Sequence, residues 1–351
     1  MKRNRTVLVA AAAALVALVA GAAAIPRPPG LSSEVSGDDA LIAEVRGRLA
    51  DMPGVRDRLS VAVIDGDEVR TAIFGATDAT EYEIGSVTKT VTGSLFAEAI
   101  DRGEVTTNTT LGDLLDLGDS PAASVTLEEL ATHSSGLPRL PVSFGTVVSS
   151  IVAGYRASDP YGSSLAELEA QARGAAVGEK EFLYSNLGFA LLGQALASAA
   201  GTDYPTLAAE RVFEPLDMDD SYVPTAPAEL RDGAPTGYTA SGRPSDAWTL
   251  GADAPAGSAR STLADMVAFA TAQRDGTAPG VAATEPRASS GESGEIGLAW
   301  LTTDGVTWHN GATGGFTSWI GFDRDSGRAV VVLNDTAANV DDLGFALMGV
   351  E

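Results

Sequence analysis

The chain of 351 residues contains no cysteine. Disulfides, thiolate metal ligands and thiol nucleophiles are thereby excluded. Histidine is almost absent. His133 and His309 lie far apart, no H-E-x-x-H motif accompanies them, and no metal-ligand set can be assembled. Lysine is as scarce: only Lys2, Lys89 and Lys180 occur. Basic residues number 23 against 47 acidic ones, giving a formal charge of −24. A surface of that sign repels nucleic acid and anionic lipid, so neither is an expected partner. No cofactor is expected either. Thr88-Lys89-Thr90 resembles the end of a phosphate loop, but Thr88 stands where the glycine before the lysine belongs.

Long apolar runs occur once, at the N-terminus. Lys2, Arg3 and Arg5 form a basic region, Val7 to Ala24 are apolar, and Ala22-Ala23-Ala24 offers a small-residue cleavage site before Ile25. Residues 1–24 are expected to be a signal peptide. The competing reading is an uncleaved membrane anchor, because the run approaches the ~20 residues that span a bilayer. Under either reading the remainder is secreted or otherwise extracytoplasmic, and membrane contact comes only through this segment. Cleavage would move the net charge to −27, since three basic and no acidic residues leave with it.

Residues 25–38 are expected to be a polar linker, and residues 39–351 one hydrolase-sized domain. Helices are predicted over Asp39–Met52, Val87–Ile100, Leu127–Ala131, Leu187–Ala200, Thr206–Val212 and Ser261–Gln273, from apolar positions at helical spacing and from caps such as Thr126 and Gly201. Leu59–Ile64 and Val69–Phe74 flank Asp65-Gly66-Asp67 and predict a hairpin. Residues 138–181 read as loops and weak helix, and 275–294 as a mobile surface loop. Strands are then predicted at Ile296–Leu301, Val306–His309, Phe316–Phe322 and Arg328–Leu333, with a final helix over Ala337–Met348. The order implies an α/β fold: an antiparallel sheet built from both chain ends and flanked by helices, with an inserted all-α lobe. The α/β lobe is expected at 39–85 and 285–351, and the helical lobe at 86–284.

Three places carry chemistry. Ser86 and Lys89 are three apart at a helix start, so they share a face. A serine hydroxyl needs a neighbour to accept its proton, and a lysine whose pKa is lowered by burial can do so. A capping serine followed by a solvent lysine is the plainer reading. The second place is Tyr184-Ser185-Asn186, at the entry of the second strong helix. There the tyrosine could shuttle a proton, and Asn186 could donate to a substrate carbonyl and to Lys89. The third is His309-Asn310-Gly311-Ala312-Thr313-Gly314-Gly315, where glycines admit a ligand close to the backbone. His133, in Thr132-His133-Ser134-Ser135-Gly136, reads as a structural turn histidine.

Together and in this order, the three places resemble the motifs of the serine β-lactamase and penicillin-binding superfamily. The nearest branch is that of class C β-lactamases, DD-peptidases and esterases. The resemblance runs from about Leu41 to Leu333 and takes in EIGSVTKTVTG, ATHSSGLP, FLYSNLGFALLGQAL, PAGSARSTLADMVAFA and HNGATGGFTSWIGF. It implies that Ser86 becomes acylated, that Lys89 and Tyr184 share the proton transfers, and that Asn186 orients Lys89 and the substrate amide. The backbone N–H groups of Ser86 and Ala312 would form an oxyanion hole, with His309 and Gly311 lining the substrate site.

The implied protein is an exported serine hydrolase whose substrate is a peptidoglycan-derived D-amino-acid peptide, an ester or a β-lactam. The alternative is a non-catalytic cell-wall sensor of the same fold. His309 stands where β-lactamases carry lysine, which favours DD-carboxypeptidase or esterase chemistry over efficient penicillin hydrolysis. As a carboxylate reader with an ordinary pKa near ~6.5, His309 would make the preference for anionic substrates fall as pH rises.

Overall fold

The computed structural model describes residues 28–140, 156–291 and 294–350. The expected signal peptide, and residues 141–155 of the expected loop region, lie outside the described residues. Among the described residues, no helix is long and apolar enough to cross a membrane.

The strands come from both ends of the chain. β1 (Val35–Gly37), β2 (Leu59–Asp65) and β3 (Glu68–Phe74) precede the helical middle. A separate two-residue pair, β4 (Tyr82–Glu83) and β5 (Arg260–Ser261), brackets it. After it come β6 (Ala288–Ser289), β7 (Glu295–Ile296), β8 (Leu301–Thr303), β9 (Val306–Ala312), β10 (Thr317–Asp323) and β11 (Arg328–Asn334). Nine of these form one antiparallel sheet in the order β1-β3-β2-β11-β10-β9-β8-β7-β6. The two chain ends thus meet at its centre, where β2 pairs with β11 from Leu59↔Asn334 to Asp65↔Arg328.

β2 reads LSVAVID, apolar from Val61 to Ile64 and buried from Leu59 to Ile64, because both its faces are covered. Val61 and Val63 pack with Val330, Val332 and Trp319 under α1 (Asp39–Ala50) and the C-terminal helix Asp341–Met348. Ala62 and Ile64 face the other way, toward α2 (Thr88–Asp101), α3 (Asn186–Ala200) and α4 (Leu263–Asp275). α2 is buried almost all round, from Thr88 to Ala97, so it is the axis on which the helical lobe and the sheet both pack.

Four expectations are corrected. The end of the expected linker forms β1, an exposed edge strand held by backbone pairing to β3, so no apolar pattern announced it. Of the expected loop 275–294, the stretch 275–285 is not free: Ala278, Ala283 and Thr284 are buried, and Gly280 packs against the Ser94 carbonyl of α2. Ile296–Leu301 is not one strand. It turns at Ala299, whose φ is +78°, with Gly297 N donating to Trp300 O at 2.8 Å. That turn drives Leu298, Ala299 and Trp300 into the core beside α2. The last helix starts at Asp341 rather than Ala337.

Candidate active site

Ser86 sits in a 3₁₀ turn, Gly85–Val87, that feeds directly into α2. The turn is held from two sides. Ile84 N donates to Ala259 O at 3.0 Å, and Ser318 Oγ of β10 donates to Ile84 O at 2.7 Å. The end of β9 lies against it so closely that a Cβ on Gly311 would stand 2.0 Å from Ile84 O. A Cβ on Gly85, whose φ is +51°, would stand 2.6 Å from Ala312 N. Glycine is required at both positions, and the backbone of Ala312 is thereby brought beside Ser86.

One helical turn on, Lys89 is fully buried. Its Nζ lies 2.9 Å from Ser86 Oγ and donates to Ala256 O at 2.6 Å. Burial, and next the positive charge of Arg139, hold its pKa well below the ordinary lysine value. No carboxylate pairs with it among the described residues, and burial favours the uncharged amine that can take a proton from the serine.

Tyr184 completes the group from the helical lobe. Its phenol hydrogen-bonds with Ser86, and Lys89 Nζ lies 4.9 Å from its ring centre. Burial pushes its pKa up to about 12, so it stays a phenol at neutral pH. His133 stacks against that ring, with centroids 4.3 Å apart, and accepts the Ser185 N–H at Nδ1. The turn histidine expected from the sequence, at φ +56°, therefore also props the tyrosine.

Two expectations change. Asn186 makes no bond to Lys89; its Nδ2 donates to Tyr161 OH at 3.1 Å, and its Oδ1 has no partner. His309 is not a titrating reader. It is 1% exposed, its Nδ1 meets Asn310 O at 2.6 Å, and burial followed by the proximity of Lys89 pulls its pKa down to about 3. It is neutral across the pH range in which it was expected to titrate.

Ser86, Tyr184, Asn186, Gly311 and Ala312 line one cavity of about 710 Å³, while His309 and Lys89 lie behind its wall. Arg139, Tyr161 and Trp248 also line it, and sequence reasoning missed them. Trp248 is fixed by its N–H donating to Glu83, which a fully buried Arg260 in turn pairs at 2.8 Å. Arg139 directly follows the ATHSSGLP turn, a local signal that could have flagged it. Tyr161 and Trp248 sit in irregular segments with no motif around them.

Comparison with known proteins agrees with this geometry. The β-lactamase family model matches residues 41–345, and the chain belongs to that family, within the serine β-lactamase and penicillin-binding superfamily. The D-alanyl-D-alanine-carboxypeptidase/endopeptidase AmpH of Escherichia coli K12 is 30% identical over 49% of this chain and 47% of its own length. The match thus spans about half of that relative. The unguisins hydrolase ungD' of Aspergillus campestris is 26% identical over 90% of this chain and 65% of its own. In fold, the class C β-lactamase of Rhodobacter sphaeroides superposes with a TM-score of 0.72 at 21% identity, covering 88% of this chain and 98% of that one.

Proposed function

We propose that the chain is an exported serine hydrolase working through an acyl-enzyme on Ser86, and that it takes D-amino-acid peptides or esters in preference to β-lactams. The observation that carries this reading is the 2.9 Å contact between Ser86 Oγ and the buried Nζ of Lys89 at an open cavity.

In the proposed sequence, Lys89 takes the Ser86 proton as Oγ attacks the carbonyl carbon. The developing oxyanion accepts hydrogen bonds from the Ser86 and Ala312 N–H groups; losing one such donor typically costs ~10²–10³ in rate. Tyr184 gives its phenol proton to the leaving group and recovers one from Lys89. Water then repeats the attack on the acyl-enzyme, with its proton passing the same way. Asn186 lines the same cavity, with its Oδ1 buried and left without a partner. The neutral His309 supports the preference against β-lactams, since it supplies no charge at the position where β-lactamases carry lysine.

A panel of aryl esters, D-Ala-D-Ala peptides and a chromogenic cephalosporin tests the reading. Turnover of an ester or peptide is expected, with the cephalosporin at least tenfold slower in kcat/KM. A faster cephalosporin would reverse the substrate order. For export, intact mass of secreted protein should begin at or near Ile25; recovery from membranes with residues 1–24 attached would mean an anchor.

A further inference from the structure

Among the described residues lining the cavity, Arg139 is the one cation. It is exposed, and its guanidinium carbon stands 5.2 Å from the ring centre of Tyr184. Its own carbonyl accepts the N–H groups of Asn186 at 3.1 Å and Leu187 at 3.3 Å, which ties its backbone to the start of α3. No carboxylate pairs with it among the described residues. Two acids whose charges act on Tyr161, another residue of the cavity lining, are already engaged. Asp159 accepts the N–H groups of Tyr161, Thr249 and Leu250, and Asp253 is buried with Ser163. An arginine held against Tyr184 and unpaired among the described residues contrasts with a chain whose net charge is −24.

We infer that Arg139 reads an anionic group, a carboxylate in the first instance, on the substrate of this hydrolase. This rests on the proposed function above and assigns to the helical-lobe wall a task that buried His309 cannot perform. A guanidinium offers two parallel N–H donors that match a carboxylate. Substrates with a free carboxylate, such as the end of a peptide, are then selected over neutral ones despite the acidic surface.

The test uses paired probes: aryl hexanoate against the aryl monoester of adipate, which places charge on the acyl side, and phenyl against 4-carboxyphenyl acetate, which places it on the leaving group. Arg139→Gln should lower kcat/KM for the anionic member of at least one pair by roughly tenfold, with its neutral member changed less than about twofold. Arg139→Lys should restore part of the loss. Added salt should erode the wild-type preference and leave Arg139→Gln unaffected. Equal loss on charged and neutral probes, or no loss on either pair, overturns the inference. Binding of N-acetyl-D-Ala-D-Ala and its amide to Ser86→Ala, which needs no chemistry, separates the two proposals. Charge discrimination there without turnover in the wild type would sink the hydrolase reading and leave Arg139 standing.

Discussion

Replacing Lys89 with methionine is expected to lower kcat by roughly 10²–10⁴, the range of a positioned general base, while the protein stays about as stable as wild type at pH 7. The kinetic loss follows because Nζ is the one basic atom recorded at hydrogen-bond distance from Ser86 Oγ among the described residues. The stability follows from burial. Lysine at 0% exposure folds only by giving up its proton or by carrying an ill-solvated charge, and no carboxylate compensates it. Methionine fills a similar volume without that cost, although it leaves Ala256 O without its donor, a loss of about 1–3 kcal/mol.

The pH dependence gives the sign. The folded pKa of Lys89 is lowered while the unfolded value is about 10.4. Between the two the unfolded chain binds more protons, so wild-type stability rises with pH through that window. Any advantage of Lys89→Met should therefore be largest at the lower pH and shrink as pH approaches about 10.4. Urea unfolding of both proteins at pH 7 and pH 10 measures it. A variant that keeps kcat and loses only KM would make Lys89 a binding residue.

Ser86→Ala is expected to remove covalent labelling by a fluorophosphonate or fluorescent penicillin, and to lower turnover by roughly 10⁵–10⁶, as when the nucleophile of an interdependent catalytic group is deleted. The fold should persist. The turn is made by backbone bonds, Val87 N to Ile84 O among them, and the Ser86 side chain caps nothing. Among the described residues its hydroxyl meets only Lys89 and Tyr184, so its removal should cost about 1 kcal/mol or less. Labelling that survives the substitution would place the nucleophile elsewhere.

Much of this was legible in the chain because its signals are local. A serine and a lysine one turn apart must share a helix face, and the apolar runs of β2, β10 and β11 announce a sheet covered on both sides. The hairpin at Asp65-Gly66-Asp67 and the caps Thr126 and Gly201 stand where expected. What stayed hidden depends on contacts distant in sequence. β1 has exposed side chains and exists through its pairing with β3. Ala299 takes a positive φ because its N–H meets Ala131 O, 168 residues earlier. The protonation of His309 is set by its burial and then by Lys89, which the fold brings near it from the start of α2. The same holds for Arg139, whose surroundings are assembled from α3, the Tyr161 segment and β9.

The most direct test of the central claim is a rapid-quench experiment on the wild-type protein with a turned-over aryl ester, followed by mass analysis of the peptide carrying Ser86. The account predicts an acyl adduct on Ser86 that appears at least as fast as the first turnover and decays at a rate no slower than kcat. Turnover with no adduct, or an adduct on another residue, would contradict acyl-enzyme chemistry at Ser86. An adduct that forms on Ser86 and never decays would make the protein a recognition device rather than a hydrolase.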